Sequence, residues 1–197
     1  MKNIAVFASG TGSNFINIYN GLKNNSINGE IKLLISNNSN CGAVLFAIKN
    51  NIEYKIINDF RFPIKKNKEY ELVLNFYRID LILLAGFMKK IPENIVRLYK
   101  NKILNIHPSL LPKYGGQGFY GMKVHEAVID SKDKLSGATV HFVNEHYDKG
   151  TIVLQKSLNV LKSDTPESLS KKILKIEHSI YLEAVHLFCL DKIKIQY

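Results

Sequence analysis

The sequence has no tryptophan, only two cysteines and only five prolines in 197 residues. Cys41 and Cys189 stand far apart and lack metal-ligand spacing, which excludes a disulfide framework and a zinc site and fits a reducing, cytoplasmic location. Long apolar runs are missing too. Leu81 to Phe87 falls far short of the roughly 20 residues that a spanning helix needs. Met1-Lys2-Asn3 followed by Ile4 to Ala8 is too short and wrongly flanked for a signal peptide, so no membrane partner is expected. Arginine is scarce: among 27 basic residues only Arg61, Arg78 and Arg97 carry a guanidinium. The usual bidentate reader of guanine edges is thus nearly lacking, and no nucleic-acid partner is expected.

What is present describes a globular chain. Hydrophobic residues make up 46% and charged residues 22%, and the length favours a single domain over 1–197 with a full core. The formal charge, 27 − 17 = +10, favours small anionic partners such as phosphates or folates. Abundant Lys, Asn and Ile are equally what an AT-rich coding bias produces, and both readings of the charge stand.

Apolar runs alternate with segments of helical period, the pattern of βαβ units. Strands are expected at Asn3 to Ala8, Glu30 to Ser36, Glu53 to Ile57, Asp80 to Ala85 and Lys102 to His107. Helices are expected near Asn14 to Asn24, Gly42 to Asn50, Lys65 to Arg78 and Pro92 to Lys100. Pro108 to Gly121 holds two prolines and four glycines and reads as a mobile loop before a short helix, Met122 to Asp130. Strands at Gly137 to Val143 and Thr151 to Val160 follow, then a helix from about Thr165 to Cys189, capped by Asp164 or Thr165 with Pro166 in its first turn. The fold class expected is α/β, a Rossmann-like, mostly parallel sheet with helices on both faces.

Three segments stand out chemically. Ser9-Gly10-Thr11-Gly12-Ser13-Asn14 joins the first strand to a helix, a setting whose amides attract phosphate. It is a poor dinucleotide fingerprint, since Phe15 occupies the third glycine position and Ser36-Asn37-Asn38 offers no acid to a ribose. In Leu104-Asn105-Ile106-His107-Pro108, period two sends Asn105 and His107 to one face at the C-terminal end of a strand, where open α/β sheets bind ligands. Asp148 lies in a polar turn, Asn144 to Gly150, that alone reads as solvated. Thr139 and His141 share one face of the preceding strand; that face reaches the crevice, or His141 is a hydrogen-bonded core histidine.

Taken together, Ser9 to Asn14, Leu84-Ala85-Gly86-Phe87-Met88, Asn105 to Tyr114, Thr139 to Val143, Asp148 to Gly150 and Glu177-His178-x-x-Tyr181 resemble the formyltetrahydrofolate-dependent formyltransferases. Asn-Ile-His-Pro-Ser-Leu-Leu-Pro marks that wider family, and Ser-Gly-x-Gly-Ser-Asn is more particular to its phosphoribosylglycinamide formyltransferase branch. The resemblance implies transfer of a formyl group from the cosubstrate 10-formyltetrahydrofolate to the amino group of glycinamide ribonucleotide, in purine biosynthesis. It implies catalysis by Asn105, His107 and Asp148, and substrate binding by Gly12, Ser13, Asn14 and Glu177. Cofactor binding falls on Met88, Lys89, Lys90, Ile91, Asn105 and Val140, with no metal. It further implies a nucleotide-binding half, 1–100, a catalytic and folate-binding half, 101–197, and a monomer or weak homodimer.

That chemistry asks for an oxyanion donor, which Asn105 can supply, and a proton relay through His107, whose pKa Asp148 is expected to raise. The chain differs from the commoner family pattern in its glycine-rich Gly115 to Gly121 and in Met88-Lys89-Lys90-Ile91, and either Arg61 or Lys65 answers to a folate-contacting arginine. Three alternatives share the fold: a methionyl-tRNA formyltransferase, a formyltetrahydrofolate deformylase and a noncatalytic ligand-binding module. The first two usually carry an additional domain, for which 197 residues leave no room, and the intact Asn105, His107 and Asp148 set speaks against the third.

Overall fold

A computed structural model describes residues 1–24, 27–62 and 66–193. Their contacts gather into two compact units, Met1–Leu104 and Asn105–Tyr197, divided within one strand. The first unit holds β1 (Lys2–Phe7), α1 (Ser13–Asn24), β2 (Gly29–Ser36), α2 (Gly42–Lys49), β3 (Tyr54–Ile56), α3 (Lys66–Phe76), β4 (Leu81–Leu84) and α4 (Glu93–Leu98). Strand β5 (Ile103–His107) crosses the division. The second unit continues with α5 (Met122–Asp130), β6 (Leu135–Phe142), β7 (Ile152–Asn159) and α6 (Pro166–Cys189).

In the first unit the strands lie in the order β3-β2-β1-β4, and every pair is parallel. Ile4 to Phe7 and Leu81 to Leu83 are almost wholly buried, because helices cover such a sheet on both faces and its strands turn no side to water. In the second unit β6 pairs antiparallel with β7, and α6 packs against both strands and α5. The fold is thus α/β with mostly parallel strands.

All of these elements fall where the periodicities place them, and the differences are at the ends. Helix α3 stops at Phe76 rather than Arg78, where φ of 49° takes the backbone out of the helical region. Strand β6 starts two residues early, at Leu135, because its ladder with β7 continues to Asn159. The α6 cap is Thr165, in a capping box with Ser168.

Candidate active site

Strand β5 ends at His107, before Pro108, which cannot donate to a ladder, and its last residues alternate as expected. Leu104 and Ile106 are buried on one face, while Asn105 and His107 project from the other. The loop that follows is fastened to β6 by Thr139. Its Oγ1 donates to the Ser109 carbonyl (2.6 Å) and accepts from the Leu111 amide (3.1 Å) and from Gln155 Nε2 (2.8 Å).

The turn after β6 returns Asp148 to the same place, in a left-handed conformation with φ of 54°. One carboxylate oxygen, Oδ1, faces Asn105 Nδ2 and His141 Nε2, each at 3.5 Å. The other, Oδ2, faces His107 Nδ1 at 3.6 Å and accepts from the Gly116 amide at 2.9 Å. The turn is solvated at Glu145, His146, Tyr147 and Lys149, as read from the sequence, but Asp148 departs from it: its side chain keeps 13% of its exposure and sits among three polar side chains.

His107 is 4% exposed. Its Nε2 lies 2.7 Å from the Tyr114 carbonyl, which can only accept, so that nitrogen bears a proton and Nδ1 is turned toward Asp148. Asp148 was expected to raise the His107 pKa, and its charge does so, but the net shift is downward. Burial, the dominant cause, lowers it; the Asp148 charge and the Tyr114 carbonyl pull upward and are outweighed, and His141 pushes it further down. The imidazole is thus held neutral, with Nδ1 unprotonated and able to accept a proton. For Asp148 the balance runs the other way. Burial raises its carboxyl, but the neighbouring His141 and His107 rings and the Gly116 amide together hold it below the usual range.

Two histidines complete the site's surroundings. His141 Nδ1 lies 2.8 Å from the Phe142 carbonyl, so Nε2 is left to accept from Asn105 Nδ2 at 3.1 Å. The register with β7 shifts between Val140 and His141, at the strand end that carries this ring. His125 on α5 is 5% exposed, and its pKa is lowered by burial and then by the charge of His107. The sequence contained His141 only as one of two open readings, and nothing in it singled out His125. The start of the glycine-rich loop, read as mobile, is fastened here through Tyr114 and Gly116.

Buried neutral imidazoles make stability depend on acid. An unfolded histidine takes up its proton near pH 6.5, about where His107 and His125 still resist it in the folded chain, so below that pH the unfolded state binds more protons. Folding stability should therefore decline from about pH 6.5 downward, by up to about 1.4 kcal/mol per pH unit for each imidazole. Urea midpoints measured between pH 7.5 and 5.5 test this prediction; a flat profile would show that neither ring is held neutral.

The other expected residues lie as follows. In the first unit, Gly12 has φ of 80°, and a Cβ there would lie 2.9 Å from the Ala43 Cβ, so only glycine fits between the turn and α2. Its carbonyl accepts from the Ile16 amide at 2.8 Å, opening α1 with Ser13 and Asn14 in the first turn. Ser9 ties three strand ends together, its Oγ donating to Asn37 Oδ1 (2.5 Å) and accepting from the Met88 amide (2.9 Å). Met88, Lys89 and Lys90 are exposed, whereas the Ile91 side chain is buried in the core. Arg61 is exposed, and Lys65 lies outside the described residues. In the second unit, Val140 is fully buried, which leaves its backbone to any ligand, and Glu177 is half-buried within α6.

No group of three or more His, Cys, Asp or Glu side chains among the described residues is placed to hold a metal ion, and no helix among them is long and apolar enough to cross a membrane. The formyl transferase family pattern matches residues 2–185. The chloroplastic phosphoribosylglycinamide formyltransferase of Arabidopsis thaliana is 44% identical over 98% of this chain and 67% of its own length. That of Vigna unguiculata is 43% identical over 98% of this chain, which spans 62% of that protein. The crystal structure of glycinamide ribonucleotide transformylase 1 from Symbiobacterium toebii superposes with a TM-score of 0.92 at 32% identity, covering 100% of this chain and 91% of that one. A formyltetrahydrofolate deformylase from Pseudomonas syringae, at 22% identity, shares the fold alone. This chain belongs to the formyl transferase family.

Proposed function

We infer that this enzyme transfers the formyl group of 10-formyltetrahydrofolate to the amino group of N1-(5-phospho-D-ribosyl)glycinamide, giving the N-formyl product and tetrahydrofolate in purine biosynthesis. The observation that carries the chemistry is the Asp148 carboxylate set between the Asn105 amide and a neutral His107. The donor set suits an acyl transfer. When bound, the formylfolate supplies the one-carbon unit at an electrophilic carbonyl.

Asn105 Nδ2 has two hydrogens, one directed at His141 (3.1 Å) and the other at Asp148 across a long 3.5 Å contact. The second turns readily to the formyl oxygen as the attacking amine gives it negative charge. His107 Nδ1 accepts the proton that the amine sheds, and Asp148 beside it stabilises the imidazolium that results. The same nitrogen then returns the proton to the departing folate nitrogen, which restores the neutral ring.

Binding is assigned to Gly12, Ser13 and Asn14 for the phosphate, at a helix start that favours anions, and to Glu177 for the ribose. Folate contacts are assigned to Met88, Lys89 and Lys90, to Asn105, and to the backbone of Ile91 and Val140. The lysines suit the folate's glutamate carboxylates. A reducing, cytoplasmic location is supported by the presence of two cysteines only, Cys41 and Cys189, both buried.

The test is cosubstrate loss followed with and without the ribonucleotide. Ribonucleotide-dependent loss with one formylated product per turnover is expected. Formate release without the ribonucleotide would replace this reading by a deformylase, and ligand binding without turnover by a noncatalytic module.

A further inference from the structure

His107 owes its assigned role to the position of one proton. A neutral imidazole carries a single N–H, and two acceptors compete for it: the Tyr114 carbonyl, 2.7 Å from Nε2, and the Asp148 carboxylate, 3.6 Å from Nδ1. Charge favours Asp148, since a carboxylate is the stronger acceptor, and distance favours Tyr114. With the carbonyl moved out of reach, the proton would pass to Nδ1, and the nitrogen that faces Asp148 would no longer be a base. Whatever holds the Tyr114 carbonyl in place therefore decides the tautomer.

The backbone of Tyr114 needs such support. Its φ of 55° lies in the left-handed region, which a residue with a Cβ keeps only where its surroundings impose it. At the far end of the side chain the hydroxyl donates to Asp133 Oδ2 at 2.9 Å. The same carboxylate receives Lys113 Nζ, 2.7 and 2.6 Å from its two oxygens, so two consecutive loop residues end on one acid. Asp133 is itself fixed, in the turn between α5 and β6, where its amide donates to the Val128 carbonyl at 3.2 Å. The Lys113 hydrogen bond, the largest influence, holds its carboxyl below the usual range, so it stays an acceptor. The Lys113 side chain is 59% exposed, and an ion pair in water contributes little. The half-buried Tyr114 is the residue on which the acid can act.

We propose that Asp133 is a positioning residue for His107: through the Tyr114 hydroxyl it keeps the Tyr114 carbonyl on Nε2 and so leaves Nδ1 able to take a proton. The consequence for turnover rests on the proton path assigned to His107 above, whereas the tautomer itself is measured without turnover. Asp133 touches neither the ring nor the groups assigned to the substrates, and it acts only through the loop.

The experiment reads the His107 ring nitrogens in a long-range ¹H–¹⁵N spectrum of the full-length chain at about pH 8, above the ordinary histidine range. Loss of the signals in His107→Gln assigns them. A protonated Nε2 and a bare Nδ1 are expected in the unsubstituted chain. Tyr114→Phe, which removes only the hydroxyl, and Asp133→Ala should each move the proton toward Nδ1. Each should also lower kcat about tenfold, as when about one molecule in ten keeps the productive tautomer, while the KM for the ribonucleotide changes less than about twofold. Asp133→Asn loses the charge that pairs with Lys113 but still accepts from the hydroxyl, and it should keep the Nε2–H signature and most of kcat. The proposal is overturned if Tyr114→Phe and Asp133→Ala both retain that signature. It is equally overturned if Asp133→Asn shifts the proton as far as Asp133→Ala does, which would make the Lys113 ion pair the holding contact. A shifted proton with unchanged kcat would support the hold of Asp133 on the tautomer and overturn instead the proton path through His107.

Discussion

Asp148→Asn is expected to lower kcat by about 10²–10⁴-fold, the range that a positioned proton-transfer apparatus contributes, while the affinity for glycinamide ribonucleotide changes far less. The amide has the shape of the carboxylate and can still accept from the Gly116 amide, so the loop stays fastened. What it loses is charge. His107 is already pushed toward its neutral form by burial, and the Asp148 charge is the largest influence that favours the protonated one. Without it the imidazolium that must form during transfer has no counter-charge at Nδ1. A second consequence is local. An amide nitrogen at the Oδ1 position would face Asn105 Nδ2, donor against donor, and disturb the group assigned to the formyl oxygen. Steady-state kinetics with a direct measurement of ribonucleotide binding separate the cases. If kcat is unchanged and the loss appears only in kcat/KM and in affinity, Asp148 is a binding residue and its role in proton movement is wrong.

The same residue shows where a sequence can and cannot be read. Asn105 and His107 were legible because a strand has period two and Pro108 marks its end, so two polar side chains in an apolar run had to share a face. Asp148 was not, since nothing local distinguishes it from a solvated turn. Only the return of the chain between β6 and β7 carries it to residues 43 and 41 positions earlier. Resemblance alone named it. The direction of the His107 shift was beyond the sequence for a different reason. Charge and burial oppose each other there, and which one wins depends on how deeply the ring is buried, a quantity that no motif encodes. His125 was invisible because a single histidine on an amphipathic helix has no partner in its own segment. Helices and strands, in contrast, were found almost to the residue, because each element is amphipathic or apolar over its own length and needs no distant contact to reveal it.

Gly150→Ala should damage fold and activity together. A Cβ at Gly150 would fall on the carbonyl oxygen of Phe142, a clash between two stretches of backbone that no rotamer change can relieve. That oxygen is not a bystander: it accepts from His141 Nδ1 at 2.8 Å and thereby fixes the ring that receives Asn105 Nδ2. The Phe142 amide is bonded in turn to the Thr151 carbonyl (2.9 Å), so the strand cannot move away from residue 150 without loss of that ladder bond. Relief must come from the turn itself, and Asp148 lies two residues before the methyl. We predict a loss of about 1–3 kcal/mol in stability, as for an overpacked core, and a fall in kcat of about 100-fold, as expected when reacting groups are misplaced by an ångström. Urea denaturation and initial rates on the same preparation decide it. An unchanged midpoint with unchanged kcat would mean that the turn yields freely and that its shape does not position Asp148. A lowered midpoint with unchanged kcat would mean that the site tolerates displacement of the carboxylate, which the proposed proton path does not.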